Sequence, residues 1–479
     1  MITSINQKAK VGIMVCGHEE YWPQFPGLKE ELLKNAEVFE GYVKDSDVDV
    51  VVSRFVDSVE LAYNCGVECK KEDVDLLFVY LTTYVASGRF VQGALRASCP
   101  IVVVGLQRPV DLSKEYTLQT MVGAGSPCPM PEAYSAFFRS GKKPAGIIFG
   151  ELYDDKRIKK EIFEWCRAAN AKRAFKGAMF GYLGHSYEGM LDMNFEATAV
   201  TKDFGSHVRN VEMCELVEYI ENCTESQLEA KLKQIKDTFE LVGKSNDPTT
   251  KDIEDSDIEW AAKVSVGLDA LIHNNSLSGL AYYYMGENNS IYERAASNLS
   301  IGNSLMTTNG IAMAGEGDMK TCLAMYLTSA LGCGGSFAEL VSVDFDADII
   351  IVGHDGPHDI RISDKKPTIR GLNLMHGKKG YGVSVEFSIK NGPMTMVGIG
   401  SDENGKYYLI TAEGESQPGW VPPVGNTLTR GYFGPSVGKF VEDWSVAGAC
   451  HHQSLALGHC SDMVEKFAKL MDLDVVKVR

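Results

Sequence analysis

The sequence predicts an α/β protein with two Rossmann-like α/β domains on parallel sheets, followed by a C-terminal domain that is a mainly antiparallel β-barrel. Two observations support this fold class. Before about residue 330, near-continuous Val/Ile/Leu runs are separated by helical segments, as in parallel sheets covered on both faces. From about Gly334, apolar and polar residues alternate between Gly, Asn and Asp turns, as in antiparallel strands with one buried face.

The first predicted domain spans residues 1–172. Its strand-like runs are KVGIMVCG, DVDVVVSRFV, DLLFVYLTT and PIVVVGLQ, and the helical segment GLKEELLKNAEVFEGYV separates the first two. Ligands of such sheets bind beyond the carboxyl ends of the strands, where this chain has CGHEEYW, LTTYVASG and GLQRP. The motif G-x-G-x-x-G is missing after the first strand, which argues against a dinucleotide-dependent oxidoreductase.

The second predicted domain, residues 173–325, begins near KRAFKGAMFGYLGHSYEGM and contains the helical segments TESQLEAKLKQIKDTFELV and DIEWAAKVSVGLDALIHNN. The third, residues 326–479, contains the alternating runs AELVSVDFDADIIIVGH, YGVSVEFSIKNGPMTMVGIGSD and GKYYLITAEGE. The run SDMVEKFAKLMDLDVVKV predicts a final helix and strand. Three domains fit a chain of 479 residues, because domains usually contain about 100–200.

Charge and composition exclude several classes of partner. The chain has 64 acidic and 47 basic residues, a net charge of −17, and no basic cluster, which argues against nucleic acid and anionic membranes. No run approaches the ~20 apolar residues of a membrane helix. The 12 cysteines lack zinc-like spacing and are expected to be reduced thiols of a cytoplasmic protein.

Two glutamates stand out beside Gly-rich turns in IAMAGEGDMKTCLAMYLTSALGCGGSFAEL, namely Glu316 and Glu339. Histidines cluster in VGHDGPHD and GACHHQSLALGH. Carboxylates together with imidazoles suit Mn²⁺, Co²⁺ or Fe²⁺ and leave open positions for substrate oxygens. If His451 and His452 are adjacent on a strand they point to opposite faces, so at most one easily reaches a common site.

The motifs AGEGDMKT, GGSFAE, IIIVGHDGPH and AGACHHQSLALGH resemble, in the same order, AGEGDWKT, SFMED, GSHMLE and GGAHHT of the L-arabinose isomerase family and its L-fucose isomerase relatives. The resemblance covers roughly residues 255–470. It implies that Glu316, Glu339, His354 and His452 bind one divalent metal, with Mn²⁺ as the first choice and Co²⁺, Fe²⁺ or Mg²⁺ as alternatives. It further implies that Glu316 and Glu339 are the catalytic acid/base pair, and which of His451 and His452 is the ligand stays open.

Near the N-terminus the family pattern GSQHLYG resembles CGHEEYW. This similarity places a substrate-contacting glutamine at His18, a leucine at Glu20 and a tyrosine at Tyr21. The family's QTAH resembles LQTMVG, which keeps Gln119 but has Val122 at the histidine position. His451 completes the substrate-binding candidates, and Tyr282, Tyr283, Tyr284 and Trp420 are candidates for the pocket wall.

The resemblance implies an aldose–ketose isomerase that moves a proton between C1 and C2 of a monosaccharide through a cis-enediol. A hydride shift would use the same ligands and stays open, as does the sugar, which could be arabinose, galactose, fucose or a modified or acidic hexose. The resemblance also implies a homo-oligomer, a trimer, tetramer or hexamer, with active sites between subunits and the first domain as a substrate lid. The alternatives are a metal-dependent epimerase or lyase and a non-catalytic sugar-binding protein on the same scaffold.

Overall fold

The computed structural model describes residues 8–114, 117–125, 127–283, 289–375 and 378–479. The chain forms two compact units. The N-terminal unit contains residues 8–173 and 465–472, and the main unit contains residues 174–464 and 473–479. Among the residues that the structure describes, no helix is long and apolar enough to cross a membrane.

The N-terminal unit is built on a parallel sheet with the strand order β2-β1-β3-β4-β5. Its strands are β1 (Lys10–Cys16), β2 (Asp49–Val56), β3 (Leu76–Leu81), β4 (Ile101–Gln107) and β5 (Gly146–Glu151). Its helices are α1 (Leu28–Lys44), α2 (Val59–Lys71), α3 (Val91–Arg96), α4 (Leu118–Gly123), α5 (Pro129–Arg139) and α6 (Lys156–Phe175). The predicted parallel sheet is confirmed, and β3 is buried along its whole length, as its uninterrupted apolar run requires.

The main unit begins with alternating helices and short strands. Its first strands are β6 (Met179–Leu183), β7 (His207–Val211), β8 (Glu240–Val242), β9 (Thr250–Lys251), β10 (Gly279–Tyr282) and β11 (Ala312–Ala314). The helices among them are α7 (Ala197–Phe204), α8 (Met213–Glu221), α9 (Glu225–Thr238), α10 (Asp255–Asn274), α11 (Ile291–Ala296) and α12 (Ser300–Thr308). Four of the strands form a second parallel sheet in the order β11-β10-β6-β7, which confirms the predicted parallel sheet of this region.

The rest of the main unit is rich in strands. The strands are β12 (Ser336–Asp344), β13 (Ile349–His354), β14 (Thr368–Met375), β15 (Lys378–Glu386), β16 (Gly392–Ser401), β17 (Tyr407–Gln417), β18 (Thr427–Tyr432), β19 (His452–Leu457) and β20 (Asp474–Val478). The helices are α13 (Met319–Ala330), α14 (Val437–Val446) and α15 (Ser461–Met471). Strands β14 and β15 pair with each other, and β14 also pairs with β8 and β9.

A mixed seven-stranded sheet has the order β16-β19-β12-β13-β18-β17-β20. All its neighbours are antiparallel except β17 and β20, so the predicted antiparallel character is confirmed. Strand β16 also pairs with β17, while the β-barrel itself stays a prediction. An apolar core of Val352, Met394, Met396, Ile410 and Leu455 lies within this region. Strand β12 is hydrogen-bonded to β19 on one side and to β13 on the other, which positions the candidate site.

Candidate metal centre

Glu316 lies in a tight turn between β11 and α13. Its backbone is left-handed, with φ +60°, and the following Gly317 has φ +74°. A Cβ at Gly317 would lie 2.8 Å from Ser186 Cα, so only glycine allows this close approach. Asp318 then caps α13 by accepting hydrogen bonds from the Thr321 amide at 2.9 Å and the Thr321 hydroxyl at 2.8 Å. The sequence GEGD therefore fixes the backbone from which the Glu316 side chain extends.

Glu339 and the histidines meet on the neighbouring strands. Glu339 on β12 lies opposite His452 on β19 and opposite Gly353 on β13, and His354 ends β13. His354 Nε2 lies 4.0 Å from Glu339 Oε1, and His452 Nε2 lies 3.6 Å from Glu316 Oε2. Ligand-type atoms of Glu339, His354 and His452 lie within 4.8 Å of one another. The structure thus brings together all four residues that the resemblance selects as metal ligands.

The donor set of this cluster fits a divalent metal. Glu316 Oε2 and His452 Nε2 are buried and have no hydrogen-bond partner among the described residues. Buried polar atoms without partners are costly, and a cation between them would remove that cost. Atoms bound to one ion with bonds of about 2.1 Å lie about 3–4 Å apart, which agrees with the two measured separations. Carboxylate and imidazole donors suit Mn²⁺, Co²⁺ and Fe²⁺.

Each clustered histidine has a carboxylate on its far nitrogen. His354 Nδ1 lies 2.8 Å from Asp355 Oδ1 and 2.6 Å from the Asp355 carbonyl oxygen, and His452 Nδ1 lies 3.2 Å from Asp318 Oδ2. Burial alone would lower the pKa of His354, but the hydrogen bond and charge of Asp355 raise it to about 9. Burial lowers the pKa of His452. In both residues the carboxylate partner occupies Nδ1, so Nε2 is the nitrogen that would lose its proton and bind the ion.

The two adjacent histidines lie side by side. The ring centroids of His451 and His452 are 3.8 Å apart, and both histidines form a ligand-type group with Glu316 within 4.8 Å. The expectation that the two rings point to opposite faces required both residues to lie on a strand, and this condition is not met, because β19 begins only at His452. The side chain of His452 is 1% exposed, whereas that of His451 is 35% exposed. His452 belongs to both candidate ligand groups, whereas His451 belongs to one.

Aromatic side chains surround the cluster. The ring of Phe337 packs against His354 and His452, with centroid distances of 4.8 and 4.3 Å. Tyr282, a candidate wall residue, is buried, and burial raises the pKa of its hydroxyl. The ring of Tyr283 instead packs at a tilt against His185, with centroids 4.0 Å apart.

The two other wall candidates are Trp420 and Tyr284. Trp420 is 73% exposed, and Tyr284 lies outside the described residues. Of the four candidate wall residues, only Tyr282 is thus both described and buried. It lies next to the turn at Gly315, where a Cβ added to Gly315 would be 3.6 Å from the Tyr282 hydroxyl.

The substrate-binding candidates near the N-terminus belong to the N-terminal unit. His18 lies edge-on to Tyr21 with ring centroids 4.6 Å apart, and its Nδ1 lies 3.3 Å from Glu20 Oε2. Arg89 pairs with Glu20 and also with Glu19, at 2.5 Å for the latter. The family's leucine position is thus taken here by a carboxylate that pairs with an arginine.

Gln119 and Val122 lie on the short helix α4. Gln119 is exposed, whereas Val122 is buried against Leu28 and Leu32, with Tyr21 packed on the same cluster. Val122 therefore contributes apolar contact at the position where the family has a histidine.

The sequence analysis missed the carboxylates that orient the histidines. Asp318 and Asp355 could have been found, because each lies within two residues of a predicted ligand in GEGD and GHD, and metal-binding histidines commonly pair with carboxylates. Asp192, which pairs with His451, carried no such signal, because 259 residues separate the two.

Comparison with known proteins gives a consistent result. The sequence models of the L-arabinose isomerase central domain and C-terminal domain match residues 195–334 and 334–474. A sulfoquinovose isomerase from Alkalicoccus urumqiensis is 21% identical over 406 residues, which cover 84% of this chain and 85% of that protein. An L-arabinose isomerase from Mannheimia succiniciproducens is 23% identical over 358 residues, 70% of this chain and 68% of the relative. An L-arabinose isomerase from Geobacillus kaustophilus is 20% identical over 342 residues, which cover 69% of this chain and 66% of that protein.

Proposed function

Because this chain belongs to the L-arabinose isomerase family, we propose that it is an aldose–ketose isomerase that acts on a monosaccharide and depends on a divalent metal. One observation carries the proposal beyond family membership. Two glutamates and two histidines converge in the structure. Two of their atoms, Glu316 Oε2 and His452 Nε2, are buried and have no hydrogen-bond partner among the described residues. This arrangement suits an enzyme that polarises a sugar carbonyl with a cation.

Glu316, Glu339, His354 and His452 would hold the metal, most suitably Mn²⁺, with Co²⁺, Fe²⁺ or Mg²⁺ as alternatives. When bound, the ion supplies positive charge beside the oxygens of the open-chain sugar. Asp355 and Asp318 keep the two imidazoles in the orientation that presents Nε2. The chain's own residues thus prepare the site before substrate arrives.

The two glutamates are the acid/base pair of this proposal. One glutamic acid protonates O1 of the aldose while the other carboxylate removes the proton from C2, so that the C1 carbonyl becomes a hydroxyl and a cis-enediol forms. The C2 proton then returns to C1, the O2 hydroxyl gives its proton to the first glutamate, and C2 becomes the carbonyl of the ketose, so that no atom is gained or lost. Glu339 is 30% exposed and Glu316 7%, which makes Glu339 the carboxylate more open to a sugar.

The metal cluster does not determine which sugar the enzyme accepts. We assign His18, Glu20, Tyr21, Gln119 and His451 to contacts with the sugar. A relative named sulfoquinovose isomerase aligns with 84% of this chain, so sulfonated hexoses belong in the substrate screen beside arabinose, galactose and fucose. We further propose that the enzyme is a homo-oligomer whose sites lie between subunits, with the first of three domains as lid.

The test is a screen of purified, metal-stripped protein with Mn²⁺ restored, against aldopentoses, aldohexoses, deoxyhexoses and acidic or sulfonated hexoses. We expect one class to give a ketose, and we expect the activity to vanish with chelator. Deuterium from solvent at C1 of the product would indicate the enediol, and its absence a hydride shift. A product with an inverted centre or an expelled group would instead indicate an epimerase or lyase. Bound metal and bound sugar without turnover would indicate a binding protein.

A further inference from the structure

Two cysteines of the main unit lie side by side where two neighbouring strands of the seven-stranded sheet meet. Cys333 precedes β12, and Cys460 follows β19. The Cys333 carbonyl accepts a hydrogen bond at 3.0 Å from the amide of Leu457, the last residue of β19. The Cys460 thiol is hydrogen-bonded to that of Cys333. The backbone pairing of β12 with β19 thus continues past the strands and brings the two thiols into contact.

The segment that carries Cys460 is held in place by strand β16. The Cys460 amide donates to Thr395 Oγ1 at 3.0 Å, and the Thr395 hydroxyl donates to the Gly458 carbonyl at 2.6 Å. The Gly458 amide donates to the Pro393 carbonyl at 2.7 Å. Backbone hydrogen bonds therefore fix both cysteines, and the contact between their thiols does not depend on one flexible side chain meeting another.

The two thiols differ in their access to solvent. Cys333 is half-buried, whereas Cys460 is buried. A small oxidant in solution therefore meets Cys333 first. The hydrogen bond to Cys333 and the burial of the thiol raise the pKa of Cys460 well above its usual value, so Cys460 keeps its proton until a reactive sulfur forms beside it.

We propose that Cys333 and Cys460 form a modification site at which a peroxide produces an intramolecular disulfide. The Cys333 sulfur attacks one peroxide oxygen, the O–O bond breaks, and the second oxygen leaves as water or an alcohol while Cys333 becomes a sulfenic acid. The Cys460 sulfur then attacks the sulfenic sulfur, the S–O bond breaks, and the hydroxide leaves as water with the Cys460 proton. The two thiols together lose two electrons, and the peroxide gains them.

The bridge would tie together the two strands that carry half of the candidate metal cluster. In the pairing of β12 with β19, Glu339 lies opposite His452. A disulfide just outside this pairing closes a long loop and so reduces the entropy of the unfolded chain. Oxidation would thus make the main unit harder to unfold. This inference goes beyond the proposed function, because neither the bridge nor its effect requires a sugar or a metal.

A second pair of cysteines provides an internal comparison. Cys65 and Cys69 on α2 also have hydrogen-bonded thiols, but they are only 2% and 0% exposed. The two pairs therefore share the contact between sulfurs and differ in access. If access to the oxidant selects the site, only the pair that contains the half-buried Cys333 should be bridged.

The test treats the purified, reduced protein with a few equivalents of hydrogen peroxide, alkylates it under denaturing conditions and compares its cysteine peptides by mass spectrometry. We expect one peptide pair joined through Cys333 and Cys460, which dithiothreitol separates, while Cys65 and Cys69 remain alkylated thiols. Oxidation of the exposed Cys128 without the joined pair would overturn the proposal. A bridge between Cys65 and Cys69 at the same peroxide concentration would also overturn it, because access would not select the site.

Variants separate the two chemical steps. Cys460→Ser should stop at a sulfenic acid on Cys333, which dimedone labels, and Cys333→Ser should give neither the bridge nor a labelled Cys460. The control Cys128→Ser should form the bridge as the unmodified protein does. We expect the bridged protein to unfold at a urea concentration roughly 1 M higher than the reduced protein. Equal urea midpoints would contradict the stabilising effect, and an unlabelled Cys333 in Cys460→Ser would contradict the order of the steps.

Discussion

Glu316 has a backbone conformation that a residue with a side chain seldom adopts. At φ +60° its Cβ crowds the following carbonyl, which costs about 1–2 kcal/mol in a non-glycine residue. The flanking glycines, the cap at Asp318 and the hydrogen bond from Tyr187 to its carbonyl hold it there. Strain that the surroundings maintain is typical of functional positions. The conformation directs a buried carboxylate at His452.

Replacing either glutamate by glutamine tests the acid/base assignment. Glu316→Gln and Glu339→Gln keep the shape of the side chain but remove its charge and basicity, so we expect ketose formation to fall by a factor of about 10³ or more. Initial rates with the identified sugar give this factor, and circular dichroism checks the fold. Glu415→Gln, an exposed carboxylate on β17, is the control and should retain full rate. Near-normal turnover in either site variant would exclude its acid/base role.

His358 gives the main unit a stability that depends on pH. It is fully buried, and burial together with the nearby His354 imidazole lowers its pKa to about 3. In the unfolded chain a histidine takes up a proton near pH 6.5. Between pH 6.5 and 3 the unfolded state therefore binds more protons than the folded state, and stability falls as the pH falls.

We expect His358 to account for a loss of about 2 kcal/mol in the free energy of unfolding between pH 7.5 and 5. Urea unfolding at the two pH values measures the loss. His358→Gln cannot titrate, so its own stability should change less between the two pH values, whatever the substitution costs at pH 7.5. An equal change in both proteins would contradict the assignment.

At the scale of elements, the sequence was sufficient to predict strands and site residues where the pattern that indicates them is local. The buried runs predicted the parallel strands, the alternating runs predicted the antiparallel ones, and the motifs around Glu316, Glu339, His354 and His452 selected the residues that converge. The sequence was insufficient where the position of a side chain depends on the residue at which a strand or helix begins or ends. That β19 starts at His452 and not at His451 decides where both rings point, and element ends are the least certain part of a sequence-based assignment.

The contact between the loop that joins β6 to α7, residues 184–196, and the turn at Glu316 depends on Gly317. Gly317 and Gly405 have nearly the same φ, +74° and +76°, but a Cβ at Gly317 would lie 2.9 Å from the His185 carbonyl oxygen, whereas nothing lies within 4 Å at Gly405. Both alanine variants carry the left-handed strain of about 1 kcal/mol. Only Gly317→Ala must also move the loop away from the turn.

We therefore expect Gly405→Ala to lose about 1 kcal/mol of stability and to keep its Mn²⁺ affinity. Gly317→Ala should lose more stability and bind Mn²⁺ at least about tenfold more weakly, because Glu316 adjoins the displaced backbone. Urea unfolding and titration with Mn²⁺ measure the two effects. Equal behaviour of the two variants would show that the close approach at Gly317 is unimportant.

At the scale of the whole molecule, the division into units does not follow the order of the chain. Residues 465–472, most of them in α15, belong to the N-terminal unit, where the buried Lys466 Nζ lies 2.7 Å from the buried Glu164 Oε2 on α6. The sequence predicted a helix here, but helical periodicity says nothing about which sheet a helix joins. A lysine in an amphipathic helix is also usually exposed, so the pattern gave no sign of its buried partner.

Removing one member of this ion pair should destabilise the N-terminal unit. Lys466→Met leaves Glu164 buried without this cation, and we expect a loss of about 3 kcal/mol in the free energy of unfolding. Lys469→Met, on the same helix, breaks the more exposed pair with Glu465 and should cost less than about 1 kcal/mol. Urea unfolding monitored by the fluorescence of Trp165, which lies beside Lys466, compares them. Equal losses of unfolding free energy in the two variants would mean that the buried pair stabilises the protein no more than the exposed pair does.

The place of β19 between β16 and β12 has a consequence for biosynthesis. A ribosome delivers both neighbouring strands before it delivers β19, so a nascent chain carries two strand edges whose partner has not yet been translated. Unpaired strand edges can pair with other chains and so lead to aggregation. The time between translation of β16 and translation of β19 is therefore the stage at which a chaperone matters most. The same strand brings His452, so the proposed metal cluster is complete only after β19 has been translated. A premature stop codon shortly before His452 would yield a polypeptide with most of its secondary structure but without the last residue of that cluster.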